Sequence, residues 1–164
     1  FRMNADPAKE QPAEIRFMVS DVCFCIVAAR FNAQIVDGLL DGARNTLMRC
    51  DVAESAIDIV RVPGAFELPL AVQRAARTGR YDGIVALATV IRGGTPHFEY
   101  VSDACVGGLG RVALELDIPV GLGVLTVNTV DQATERAGAN AANKGSEAAL
   151  AVMEMVSLFR ELVI

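Results

Sequence analysis

Ile84-Val85-Ala86-Leu87-Ala88-Thr89-Val90-Ile91-Arg92-Gly93-Gly94-Thr95-Pro96-His97 is the stretch whose reading decides the fold. Its first eight residues carry no charge and read as a strand buried on both faces. Gly93-Gly94 is a turn signal, Thr95 a natural N-cap and Pro96 a good first helical residue. The pattern predicts a strand that turns tightly and feeds a helix, with His97 in the first helical turn. In parallel α/β sheets, ligands bind outside the carboxyl ends of the strands. A glycine turn beside a helix N-terminus also offers free backbone N–H groups to an anion. His97 is the only histidine in the chain. The residue type best suited to proton transfer therefore stands beside an expected phosphate cradle.

The same alternation continues outward. β-rich runs lie at about 22–28, 57–62, 83–91 and 119–126, with helical patterns between them. Residues 33–49 set Ile35, Leu39, Leu40, Ala43, Leu47 and Met48 on one face, and 65–77 and 97–116 behave similarly. Thr129 and Gln132 form a capping pair for a short helix that runs to Gly138. A last helix covers about 145–162. Right-handed connections then give a flavodoxin-like three-layer α/β/α sandwich with a four-stranded parallel sheet. Residues 15–164 are expected to form one domain, and the polar residues 1–14 a flexible arm.

Composition narrows the function classes. The chain is 52% apolar with 5% aromatic residues and no Trp, so Ala, Val, Leu and Ile carry the core. A mean hydropathy of +0.37 fits a doubly covered sheet and, beyond it, subunit interfaces. A net charge of −5 without a basic stripe argues against nucleic acid as a partner. The apolar run 17–29 contains Asp21 and is too short for a membrane span. Asp6, Glu10 and Glu14 precede it, unlike a signal peptide, so the cytoplasm is the expected compartment. Cys23 and Cys25 are two apart on an expected strand, and no CxxC pair or second histidine completes a metal site. All four cysteines read as small apolar residues.

Three strand ends offer different chemistry. Phe31 follows the first strand and can pack on the core or stack on a flat ring. Ala65-Phe66-Glu67 follows the Pro63-Gly64 turn, and Glu67 can complement a helix dipole or bind substrate hydroxyls. The third offers Gly94, Thr95 and His97. Arg136 is either a surface residue or a forked phosphate ligand, and Glu135 is not expected to pair with it along the helix. The segment Gly108-Leu109-Gly110-Arg111-Val112-Ala113 matches the dinucleotide pattern, but it lies inside a helix instead of opening one. Its small residues are better suited to close helix packing. A hydrolase would need an activated nucleophile or a metal, and neither pattern is present in the sequence. A flavodoxin-like electron carrier would need a Ser/Thr-rich loop after the first strand, where Arg30-Phe31-Asn32-Ala33 stands.

Five blocks together resemble the lumazine synthase family. They are Ala29-Arg30-Phe31-Asn32, Val62-Pro63-Gly64-Ala65-Phe66-Glu67-Leu68-Pro69, Val90 through Glu99, Gly123-Val124-Leu125-Thr126, and Gln132-Ala133-Thr134-Glu135-Arg136-Ala137-Gly138. The resemblance implies a transferase of riboflavin biosynthesis that needs no cofactor. Its substrates would be 5-amino-6-(D-ribitylamino)uracil and 3,4-dihydroxy-2-butanone 4-phosphate, joined through a Schiff base. It implies that Phe31 stacks on the pyrimidine and that Ala65, Phe66 and Glu67 line the ribityl site. Thr89, Val90 and Ile91 would contact the ring, Gly94, Thr95 and Arg136 would hold phosphate, and His97 would move protons. Lys144 would add positive charge near the phosphate. It further implies a homopentamer with active sites at subunit interfaces, with decamers or sixty-subunit shells as larger assemblies and riboflavin synthase as a candidate partner. Leu122 stands near the expected end of the fourth strand, where family members often carry Phe. The turn Ala139-Asn140-Ala141-Ala142-Asn143 departs from the Gly/Thr/Lys-rich turn of shell-forming members.

Overall fold

The charge-free run of residues 84–91 forms the middle of the sheet because nothing in it requires water. A computed structural model describes residues 21–162. The order is β1 (Phe24–Ala29), α1 (Ala33–Arg49), β2 (Ile57–Val62), α2 (Leu68–Ala76), β3 (Gly83–Ile91), α3 (His97–Leu116), β4 (Val120–Val127), α4 (Val130–Ala137) and α5 (Lys144–Glu161). Single 3-10 turns at Glu54–Ala56 and Ala65–Glu67 lead into β2 and α2. The sheet order is β2-β1-β3-β4, and every pairing is parallel. The expected arm at 1–14 lies outside the described residues. No helix among the described residues is long and apolar enough to cross a membrane.

The chain leaves β1 in one direction to form β2 and then crosses back to form β3. Right-handed crossovers in opposite directions put their helices on opposite faces. The two cores show this division. Phe24, Ile26 and Ala28 of β1 pack with Val36, Leu39, Ala43 and Leu47 of α1 and with Ala149, Val152 and Met153 of α5. Cys25, Val27 and Ala29 point the other way, toward Leu68 and Val72 of α2 and Cys105, Leu109 and Val112 of α3. The reversal of direction between β1 and β3 opens a crevice at their carboxyl ends.

Several sequence expectations shift. The buried stripe of α1 contains Val36 and Thr46, and Met48 is exposed, so the helix is rotated slightly from the expected face. Cys23 precedes β1 and is exposed, with its N–H bound to the Asp82 carboxylate at 2.8 Å. Cys25 and Cys105 are buried, as small apolar residues would be. Gly108 lies within α3, and a Cβ there would meet Pro69 of α2 at 2.7 Å. That glycine therefore serves close helix packing within the chain.

Candidate active site

The carboxyl ends of β1, β2 and β3 are stapled together beyond the regular ladder. Arg30 N–H donates to the Val62 carbonyl at 2.8 Å, and Phe31 N–H donates to Pro63 at 3.0 Å. Asn32 adopts the left-handed region at φ 58°, which Asn tolerates better than most residues. Its side-chain amide does not cap α1. It donates instead to the Thr89 carbonyl at 2.9 Å, tying the β1 corner to β3.

These staples frame a cavity of about 650 Å³. Phe31, Ala65, Phe66, Glu67, Thr89, Val90, Ile91, Thr95 and His97 all line it. Gly94 lies in the same turn, between the lining residues Gly93 and Thr95. The aromatic rings stand open to the cavity: Phe31 is 72% exposed and Phe66 is 64% exposed. An apolar ring left this open gains nothing for the fold and is available to a flat ligand.

The β3–α3 turn differs from its sequence reading in one respect. Pro96, not Thr95, occupies the cap position, and no side-chain cap forms. The Pro96 carbonyl accepts from Glu99 N–H at 3.1 Å, which starts the helix one residue later than expected. His97 thus opens α3, and the Thr95 hydroxyl is not committed to a cap. A Cβ at Gly93 or Gly94 would meet nothing within 4 Å, and neither φ lies in the left-handed region. The chain itself does not require these glycines. Both are exposed at the rim, where backbone without a side chain lets a ligand approach closely.

Arg92 bonds the Glu99 carboxylate, reaches Asn128 Oδ1 at 3.0 Å and covers the Phe98 ring at 4.2 Å. The guanidinium beside Glu99 holds its carboxyl below the usual range. Arg92 is therefore part of the turn's framework, and the ionised Glu99 beside His97 is paired with it. The sequence reading missed Phe98, Tyr100 and Val101, which also line the cavity. The helical spacing from His97 to Tyr100 and Val101 carries that signal. Thr89 Oγ1 is buried without a hydrogen-bond partner, although Thr89 is one of the residues that line the cavity.

Three expected residues lie elsewhere. Leu122 is the third residue of β4, paired with Ala86, and is 51% exposed on the edge strand. It sits three ladder steps before Thr89, roughly 10 Å toward the amino end of the sheet. Its expected place near the strand's end is corrected accordingly. Arg136 and Lys144 belong to α4 and α5, which pack on the opposite face from α3. Arg136 Nη1 donates to the Gln132 carbonyl at 2.9 Å, and this fold-back brings it 3.9 Å from Glu135. That contact, which spacing did not lead us to expect, is beyond hydrogen-bond reach. Lys144 donates to Glu147 at 2.6 Å.

The cavity therefore presents flat apolar rings, a carboxylate, an open glycine turn and an imidazole, and no arginine is among its lining residues. The family model for 6,7-dimethyl-8-ribityllumazine synthase matches residues 21–160. A relative from Halorhodospira halophila (strain DSM 244 / SL1), a 6,7-dimethyl-8-ribityllumazine synthase, is 55% identical over 144 residues. The match covers 88% of this chain and 92% of the relative. Matches of that extent, running through β1 to α5 and every strand end of the cavity, place the chain in the 6,7-dimethyl-8-ribityllumazine synthase family.

Proposed function

We propose that the chain is a transferase of riboflavin biosynthesis. It condenses 5-amino-6-(D-ribitylamino)uracil with 3,4-dihydroxy-2-butanone 4-phosphate to give 6,7-dimethyl-8-ribityllumazine, phosphate and water. The observation that carries this reading is the meeting of Phe31, Phe66, Glu67, Thr95 and His97 around one cavity in a chain of this family.

The chemistry asks for little beyond orientation and proton movement. The pyrimidine stacks on Phe31, with Thr89, Val90 and Ile91 along its edge. Ala65 and Phe66 flank the ribityl chain, and Glu67 accepts from its hydroxyls. The open N–H groups at Gly94, the Thr95 hydroxyl and Arg136 hold the phosphate, with Lys144 adding positive charge. The substrate amine attacks the ketone, water leaves and a Schiff base forms. Phosphate then departs, and ring closure expels water. His97 moves the protons that these steps require.

Arg136, Lys144 and Leu122 stand outside the chain's own cavity, so the reading includes a second chain. In a homopentamer each cavity would receive these residues from a neighbour. Exposed Leu70, Tyr100, Leu114 and Leu122 supply apolar surface for such contacts. Decamers and sixty-subunit shells are the larger assemblies in view. Residues 15–164 act as one domain in this reading, in the cytoplasm, where the free thiols stay reduced. Riboflavin synthase is the partner that would take the product.

Mixing the two substrates with the purified protein should produce lumazine fluorescence and release phosphate in step. An intact assembly that binds the product without making it would overturn catalysis in favour of a lumazine-binding protein. A solution mass of five 17.4 kDa chains, or a multiple of it, supports the shared site. A monomer with full activity would remove the second chain from it.

A further inference from the structure

Asn143 is the most heavily used polar side chain among the described residues, and nothing in the reaction above employs it. It is 3% exposed. Its Nδ2 lies 3.0 Å from each of three carbonyls: Gly38 in α1, and Ala137 and Gly138 at the end of α4. Its Oδ1 accepts from Ser146 N–H at 3.0 Å, which caps α5. Two amide hydrogens serve three oxygens, so one hydrogen is shared. The amide cannot be turned around, because its oxygen would then face all three carbonyls.

The surroundings are cleared for this one group. A Cβ on Gly42 would come 2.2 Å from Asn143 Oδ1, and one on Gly38 would come 2.3 Å from the Ala137 carbonyl. Gly145, two residues after Asn143, could carry a Cβ only 2.0 Å from the Leu39 carbonyl. Glycines on α1 and α5 thus let three helices close around a single amide. The α4 end that it grips begins one residue after Arg136. Arg136 itself bonds the Gln132 carbonyl and lies 3.9 Å from Glu135, both within its own helix. Nothing on the arginine side chain fixes where α4 presents it.

We infer that Asn143 is a positioning residue for the phosphate site, which clamps the end of α4 so that Arg136 is held at the angle the phosphate requires. The inference rests on the proposed phosphate role of Arg136.

The test is a double-mutant cycle on the assembled enzyme, with KM for the phosphate-bearing ketone as the readout. Asn143→Ser keeps an oxygen to cap α5, but one hydroxyl cannot also serve three carbonyls. Asn143→Thr likewise keeps a hydroxyl to cap α5 and sets no charge against the three carbonyls, and it stands in if the serine variant fails to assemble. Either should raise KM by about tenfold, the effect of misplacing one charge-assisted hydrogen bond. kcat at saturation and KM for the pyrimidine should change little. In an Arg136→Ala background the same substitution should add nothing further to KM. Lower thermal stability with unchanged KM would show a structural role only and overturn the inference. Additive effects in the double variant would do the same. An unchanged KM in Arg136→Ala alone would instead remove the arginine from the site, and the inference would fall with that reading.

Discussion

The β3–α3 turn and the α4–α5 joint are built on opposite principles. Gly93 and Gly94 in the turn touch nothing, and Thr95 caps nothing. In the joint, Gly38, Gly42 and Gly145 have no room for a single carbon, and Asn143 is saturated with partners. The same residue type, glycine, stands for vacancy in one region and for contact in the other. The turn leaves its backbone open to a ligand, whereas the joint fixes where helices end. Both regions supply the proposed phosphate site, and they lie on opposite faces of the sheet.

The sharpest way to break this contrast is to remove the turn's one chemical group. His97→Ala should lower kcat by about 10²-fold, the lower range for a proton-transfer residue, while the assembly stays intact. Steady-state rates alongside a mass measurement check it, and full activity would take His97 out of the chemistry. The next effect comes from the joint's side. Arg136→Ala should raise KM for the phosphate-bearing substrate by roughly tenfold to a hundredfold, equivalent to about 1.5–3 kcal/mol.

A third variant addresses stability. Gly145→Ala forces a methyl against the Leu39 carbonyl and should cost roughly 1–3 kcal/mol, read as a lower urea midpoint. Gly94→Ala should leave that midpoint nearly unchanged and weaken phosphate binding. Reversal of the two results would refute the assignment of vacancy and contact. The smallest effect lies far from the site. Tyr81 donates to Asp58 at 2.6 Å, and this bond, together with burial, raises its pKa from 10.0 to about 12. A raised pKa means that the bond's stabilisation is complete below pH 10 and is lost as pH rises toward 12. Phenolate absorbance should show one step near 12 that Tyr81→Phe abolishes.

Local signals made the strands and helices legible. The bounds of α1 and α3 follow from apolar periodicity, and the Thr129 cap on Gln132 forms as its spacing suggests. The rim was legible because strand ends in a parallel sheet converge by topology. What escaped depended on distance in the chain. The position of Leu122 is a matter of register against Ala86, and the bond from Asn143 to Gly38 spans 105 residues. Thr95 misled because a good capping residue says nothing about whether Pro96 will take the cap position. Arg136 stayed ambiguous because its place on a short helix suits an exposed arginine and a phosphate ligand alike.

The open glycine turn gives a way to locate the site without any ligand. A library of substitutions scored for folding alone should tolerate changes at Gly93 and Gly94, whose added atoms meet nothing. The same library scored for growth without supplied riboflavin should reject them. Subtracting one map from the other would leave positions that the fold does not need and the cell does. The turn should stand out there, while Gly38, Gly42 and Gly145 cancel.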